Sequence, residues 1–204
     1  MKKISFSFLF ILSLCGCNHS TKANTVKPTV NTFTEIDIIP LGNVDSQTIE
    51  LVRKGVEAFY GVVPKVKKSQ PLTSDLLTKS GRRYNANLIL AKYRSERYVL
   101  LITEKDIATK YLPRKSDEWG ILGLSHCPGH TAVVSTFRMK RNSSKFAIRL
   151  QKVCNHELGH SLGLKHCNAT STCLMNDARG TMKQIDKEEM KFCDSCEKTL
   201  KKKM

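Results

Sequence analysis

Acidic residues are scarce in this chain: 18 Asp and Glu stand against 34 Lys and Arg in 204 residues, a net charge of +16. Such an excess raises the question of nucleic acid, but the aromatic partners of a base-stacking surface are missing. There is one Trp, and no aromatic residue interleaves with the two modest basic clusters, Lys65 to Lys68 and Lys201 to Lys203. The remaining cations are dispersed, as on a solvated basic surface close to anionic lipid head groups. A long apolar run is also missing, since Ile4 to Leu14 is too short to span a bilayer permanently. No internal repeat and no low-complexity tract beyond one polar linker are present, so the length points to one domain with its own core.

The first residues, MKKISFSFLFILSLCGCN, combine two lysines, the short apolar run and small residues before a cysteine, the layout of an export signal. Leu14-Cys15-Gly16-Cys17 resembles the lipobox of bacterial lipoproteins, in which the last cysteine is lipidated and begins the mature chain. The alternative is a plain secretory peptide cut near Gly16. The expected organisation is a signal at 1–16, a flexible tether of Ser, Thr, Asn, Lys and Pro at 17–34, and a folded part at 35–204. The protein would then sit in the bacterial cell envelope, held to a membrane through lipidated Cys17, where it would rarely meet nucleic acid. Its charge becomes +14 once Lys2 and Lys3 leave with the signal.

Of the eight cysteines, Cys15 leaves with the signal and Cys17 takes the lipid. Six remain: Cys127, Cys154, Cys167, Cys173, Cys193 and Cys196. In an exported protein they would ordinarily suggest disulfides. However, the last four form two close pairs, and Cys193-Asp-Ser-Cys196 has the C-x-x-C spacing at which two thiolates share one zinc ion.

Alternating β-formers make Thr34 to Pro40 a strand. Asp45 then offers an N-cap to Ser46–Tyr60, where Ile49, Val52, Val56 and Phe59 recur at helical spacing. A strand at Val62 to Val66 would complete a crossover unit. Tyr84 to Tyr93 reads as helix, and the continuous apolar YVLLIT of Tyr98 to Thr103 as a central strand buried on both faces. Trp119 to Leu124 and Thr131 to Phe137, separated by the turn-rich SHCPGH, suggest a hairpin-like pair at one sheet edge. Ala147 to Leu164 is helical by pattern. The class is therefore α/β with a mixed sheet and its chemistry on a late helix.

That helix carries His156-Glu157-Leu158-Gly159-His160. Histidines four apart emerge from one helical face, so one ion can reach both. Glu157 is displaced by about a hundred degrees around a 3.6-residue turn, where it can stand beside a water on that ion. Gly163 can take a left-handed conformation and turn the chain back, bringing His166 to the same ion and leaving a fourth position to water. Cys154, on another helical face, reads as a small buried hydrophobe. His126, Cys127 and His130 flank Pro128-Gly129 and read as a loop with incidental histidines; another metal site is the rival, and they could line the cleft.

H-E-x-x-H-x-x-G-x-x-H is the metzincin signature. With Cys167 directly after it, C-x-M at Cys173 to Met175, and seventeen residues before the C-x-x-C, the chain resembles the archaemetzincins. TAVVSTFR and ILGL resemble that family's last two strands, so the likeness runs from about Thr34 to Glu197. One departure is the five residues between Cys167 and Cys173, where the family usually has four. The resemblance implies a zincin-like mixed sheet with an active-site helix and a zinc-stapled C-terminal segment. It implies two Zn2+ ions: a catalytic one on His156, His160 and His166, and a structural one on Cys167, Cys173, Cys193 and Cys196, with Met175 as an apolar floor beneath the first. Two disulfides are the rival for the four cysteines.

The expected activity is zinc-dependent hydrolysis of a peptide or protein substrate with Glu157 as general base, the substrate lying extended along Trp119 to Leu124. Two other readings stay open. One is a lipid-anchored zinc module that binds without catalysis. The other takes the paired cysteines and positive charge as a nucleic-acid ribbon, which a lipid anchor argues against.

Overall fold

The computed structural model describes residues 33–111, 116–139, 141–178 and 181–202. The expected signal, Cys17 and all but the end of the tether lie outside them. Among the described residues no helix is long and apolar enough to cross a membrane. The buried ring of Phe33 meets Tyr60 and Tyr98 edge-on at 4.8 and 4.6 Å.

The elements are β1 (Ile36–Leu41), α1 (Ser46–Tyr60), β2 (Lys65–Val66), β3 (Tyr84–Asn85), α2 (Ala86–Lys92), β4 (Tyr98–Thr103), β5 (Ile107–Tyr111), β6 (Ser116–Ile121), β7 (Gly123–Ser125), β8 (Thr131–Ser135), α3 (Phe146–Ser161), α4 (Met182–Lys187) and α5 (Asp194–Lys201), with one 3-10 turn at Ser74–Leu76. The main sheet runs β2-β1-β4-β8-β7, parallel except for β7, which is antiparallel to β8 and forms one edge. Alternate residues of β4 point to opposite faces. Leu100 and Ile102 join the core beneath α1 and α3, while Val99 and Leu101 join the one beneath α2. This is the two-sided burial expected of an uninterrupted apolar strand.

Local chemistry sets the ends of the helices. Asp45 caps α1 by accepting from Thr48 N at 2.9 Å, and Gly61, at φ 70°, ends it. The helix expected from Tyr84 begins only at Ala86, because Asn85 Oδ1 accepts from Asn87 N and Leu88 N and so acts as the cap. β2 is shorter than Val62 to Val66 would give, since Pro64 has no N–H to add to the ladder.

The segment Trp119 to Leu124 is two strands rather than one. Trp119 lies in β6, opposite Thr109 of β5, in a second sheet ordered β3-β5-β6; the chain then steps across at Leu122 into β7 of the main sheet. The cause lies far away in sequence. Asp106 accepts from Arg83 Nε (2.8 Å) and from Arg138 Nε and Nη2 (2.7 and 2.8 Å), and the Arg138 guanidinium crosses Gly120 so closely that a Cβ there would lie 2.1 Å from Nη2.

Helix α3 crosses α1 at Gly55, where a Cβ would lie 2.4 Å from Gln151 Cγ. Tyr60 Oη donates to Asn155 O at 2.8 Å and Asn155 Nδ2 to Gly55 O at 3.3 Å, tying the two helices one residue before His156. The C-terminal segment folds back under α3. Arg149 donates to both oxygens of Asp186, each at 2.8 Å, Lys152 Nζ donates to Ile185 O, and Phe192 packs edge-on against Phe59.

Candidate metal centre and cleft

Helix α3 ends in a Schellman motif. Leu164 N–H donates to Gly159 O (3.0 Å) and Gly163 N–H to His160 O (2.7 Å), with Gly163 at φ 84°. The helix therefore stops at Ser161, three residues before the Leu164 that periodicity suggested. The reversal brings His166 back to the face that carries His156 and His160. Ring centroids are 4.6 Å apart for His156–His160, 4.8 Å for His160–His166 and 5.4 Å for His156–His166, and one nitrogen of each ring lies within 4.8 Å of the others.

Backbone carbonyls fix two of these rings. His156 Nδ1 is 2.7 Å from Leu174 O, and His160 Nδ1 is 2.7 Å from Leu164 O. A carbonyl only accepts, so each Nδ1 carries the proton and each Nε2 keeps its lone pair for a cation. Burial, and the neighbouring rings as well, hold His156 down to about 3, and burial holds His160 down to about 4. Both rings are neutral donors at physiological pH.

The Glu157 side chain packs against Gly123 of β7. Its carboxyl is buried, and burial pushes it up to about 8. Gly123 makes the room: a Cβ there would stand 2.6 Å from Glu157 Oε1 and 2.7 Å from Cγ. Periodicity alone reads Gly123 as one more strand residue. The available signal was an isolated glycine inside the apolar ILGL, which marks a close approach. Met175 is fully buried beneath the histidine helix, and a Cβ on Gly159 would lie 2.5 Å from its sulfur.

The edge strand β7 packs against the same helix. Ser135 N–H donates inward to Leu122 O at 2.8 Å. By antiparallel alternation Leu124 also bonds inward to its partner Val133, while the main-chain groups of Gly123 and Ser125 face outward. The loop from His126 to His130 closes the end of α3. Gly129 N–H donates to Ser161 O, Cys127 Sγ donates to Leu164 O at 3.2 Å, and His130 rests edge-on against Tyr98. His126, Cys127 and His130 do not form a metal-ligating group among the described residues.

The four late cysteines converge as well. Cys167 and Cys193 sulfurs are 3.6 Å apart, and those of Cys173 and Cys196 3.8 Å. Tetrahedral thiolates 2.3 Å from zinc would be about 3.8 Å apart, whereas a disulfide needs about 2.05 Å. All four are free thiols, as are Cys127 and Cys154, the latter buried in the core. Burial raises the thiols of Cys173 and Cys196, so keeping those two as thiolates needs a cation beside them. Both donor sets thus fit zinc: three imidazoles at one place and, at the other, four sulfurs within 4.8 Å of one another. Cys193 stands directly before α5 and Cys196 lies in its first turn.

A sequence profile of peptidase family M54 matches residues 99–202, just over half of the chain. The chain belongs to that family. Archaemetzincin from Natronomonas pharaonis is 29% identical over 184 residues, covering 81% of this chain and 98% of the relative. The crystal structure of archaemetzincin from Archaeoglobus fulgidus, complexed with malonate, superposes with a TM-score of 0.71 at 28% identity, covering 83% of this chain and 99% of that one. Archaemetzincin from Methanopyrus kandleri follows at 0.69 and 25%, covering 84% and 96%. Family membership makes the chain a zinc metallopeptidase, and the mixed α/β fold is that of these structures.

Proposed function

We propose that this protein hydrolyses peptide bonds in a cleft between α3 and β7, with His156, His160 and His166 holding a catalytic zinc ion and Glu157 as general base. The observation that carries the reading is the pairing of two neutral, carbonyl-aimed imidazoles with a carboxylate buried one residue along the helix. Zinc held there supplies Lewis acidity, enough to bring a water's pKa to about 7 and to polarise a carbonyl. Glu157 takes the proton of the attacking water and returns it to the departing amine. A carboxyl raised to about 8 is a poor base at pH 7, and a cation on the neighbouring histidines would draw it down.

An extended substrate would lie along β7 and bond to the outward groups of Gly123 and Ser125. This replaces the longer Trp119 to Leu124, whose first half belongs to the other sheet. A second, structural zinc on Cys167, Cys173, Cys193 and Cys196 would staple the C-terminal segment to the Met175 turn. Lipidation of Cys17 would hold the enzyme in the bacterial envelope.

Glu157→Gln keeps the shape and removes the base. Turnover of a quenched-fluorescence peptide mixture should fall roughly 10²–10⁴-fold, with two zinc ions per chain still found by elemental analysis. Unchanged turnover would discard the assigned role, and a zinc-loaded wild type without turnover would favour a binding module.

A further inference from the structure

The first two histidines are aimed by backbone carbonyls, and among the described residues His166 makes no hydrogen bond of that kind. Its Nδ1 faces Asp177 Oδ2 instead, at 4.0 Å. This neighbourhood is fixed by the main chain. Cys167 N–H donates to Met175 O at 2.8 Å, Asn176 N–H donates to Cys173 O at 3.0 Å, and Asn176 Nδ2 donates to Thr170 O. These bonds lay the turn after Met175 alongside the chain returning from Gly163, so that residues 166 and 177 sit side by side. Both side chains are half exposed, so their proximity is not forced by core packing.

Resting on the assignment of zinc to the three histidines, we propose that Asp177 is a positioning residue for the third ligand. Its carboxylate accepts the Nδ1–H of His166, which leaves the Nε2 lone pair for the ion and adds one negative charge to a centre of neutral rings and a dication. At 4.0 Å the pair is an ionic contact and not a hydrogen bond, so the role requires the two groups to close by about an ångström when the ion is bound. Two carbonyls and one carboxylate then orient the three rings. The carboxylate acts on the ring with the greatest exposure to water, where a carbonyl contact would be the weakest constraint.

The experiment uses the full chain, with zinc titrated against a chromophoric chelator so that the histidine and cysteine sites are counted separately, and with melting followed in parallel. His166→Ala serves as the reference. Asp177→Ala should weaken the histidine site roughly 10–100-fold while the cysteine site keeps its zinc and the melting temperature of the apo histidine site is unchanged. Asp177→Asn, which retains an acceptor but no charge, should fall between, and Asp177→Glu should restore most of the affinity. Wild-type affinity in Asp177→Ala alongside a loss in His166→Ala would overturn the role of Asp177 and leave the site standing. Wild-type affinity in both would overturn the three-histidine site itself. If Asp177→Ala does not fold, Asp177→Asn decides: affinity equal to wild type at that site overturns a role for the charge.

Discussion

Gly123→Ala adds one methyl group at the point where β7 touches the proposed base. A Cβ would meet Glu157 Oε1 at 2.6 Å, Cγ at 2.7 Å and Cδ at 2.8 Å. To restore ordinary contact the carboxylate or the strand must move by about 0.6–0.8 Å. The backbone of Gly123 lies outside the left-handed region, so alanine is strained by crowding alone. Overpacking costs about 1–3 kcal/mol, and the stiffer unfolded chain offsets roughly 0.4–1 kcal/mol of that. A net loss of about 1–2 kcal/mol lowers the melting temperature by only a few degrees in a domain of this size. Catalysis is less tolerant, because a displacement near 1 Å can cost about 10²-fold. The expected result is a fall in kcat of roughly 10–100-fold with both zinc ions retained and a melting temperature within a few degrees of wild type. It is read by turnover of the quenched peptide mixture, elemental analysis and thermal melting of one preparation. Full turnover in a folded, zinc-loaded Gly123→Ala would mean that the carboxylate does no work at its observed place, and the general-base argument would fall with it.

Three further perturbations separate the parts of the fold. Gly163→Ala forces a side chain into the left-handed region at φ 84°, costing about 1–2 kcal/mol; chelator competition should show weaker zinc at the histidine site, with the cysteine site unchanged. Cys193→Ala should lose the second zinc and, with it, much of the roughly 10–16 kcal/mol that structural zinc can contribute, seen as cooperative loss of the native circular-dichroism signal below 37 °C. Burial acts to raise the Asp106 carboxyl, but hydrogen bonds from Arg138 and Arg83 more than offset it and hold it below the usual carboxylate range. Its contribution is thus present above the unfolded value of about 3.9 and is lost as pH falls through the folded one. Asp106→Asn should be about 1.5–3 kcal/mol less stable at pH 7 and show a shallower acid limb in urea melts between pH 5 and 2.

What could be read from the chain before its fold was known divides by the range of the interactions involved. Helix α1 was legible to the residue, because Asp45 and the apolar repeat act within a few positions of one another. The helix that carries His156 and His160 was legible for the same reason except at its end, where periodicity ran three residues past Ser161 although Gly163 marked the reversal. The break between β6 and β7 was not, since it depends on Arg138 reaching back to Asp106 across 32 residues and lying over Gly120. β5 was missed as well: IATKY is short and carries a lysine, and it becomes a strand only through Tyr84 and Trp119 on either side. The same division holds inside the site. The three histidines were visible because a helix and one turn set their spacing, and Leu164 O meets His160 four residues away through that same turn, whereas Leu174 O and the Asp177 carboxylate become neighbours of His156 and His166 only once the turn after Met175 lies beside the chain returning from Gly163. A signature of this kind therefore specifies which atoms can bind an ion. How tightly they do so is set by residues the signature does not include, so chains sharing every ligand can differ in zinc affinity by the roughly 10–100-fold that such supporting contacts carry.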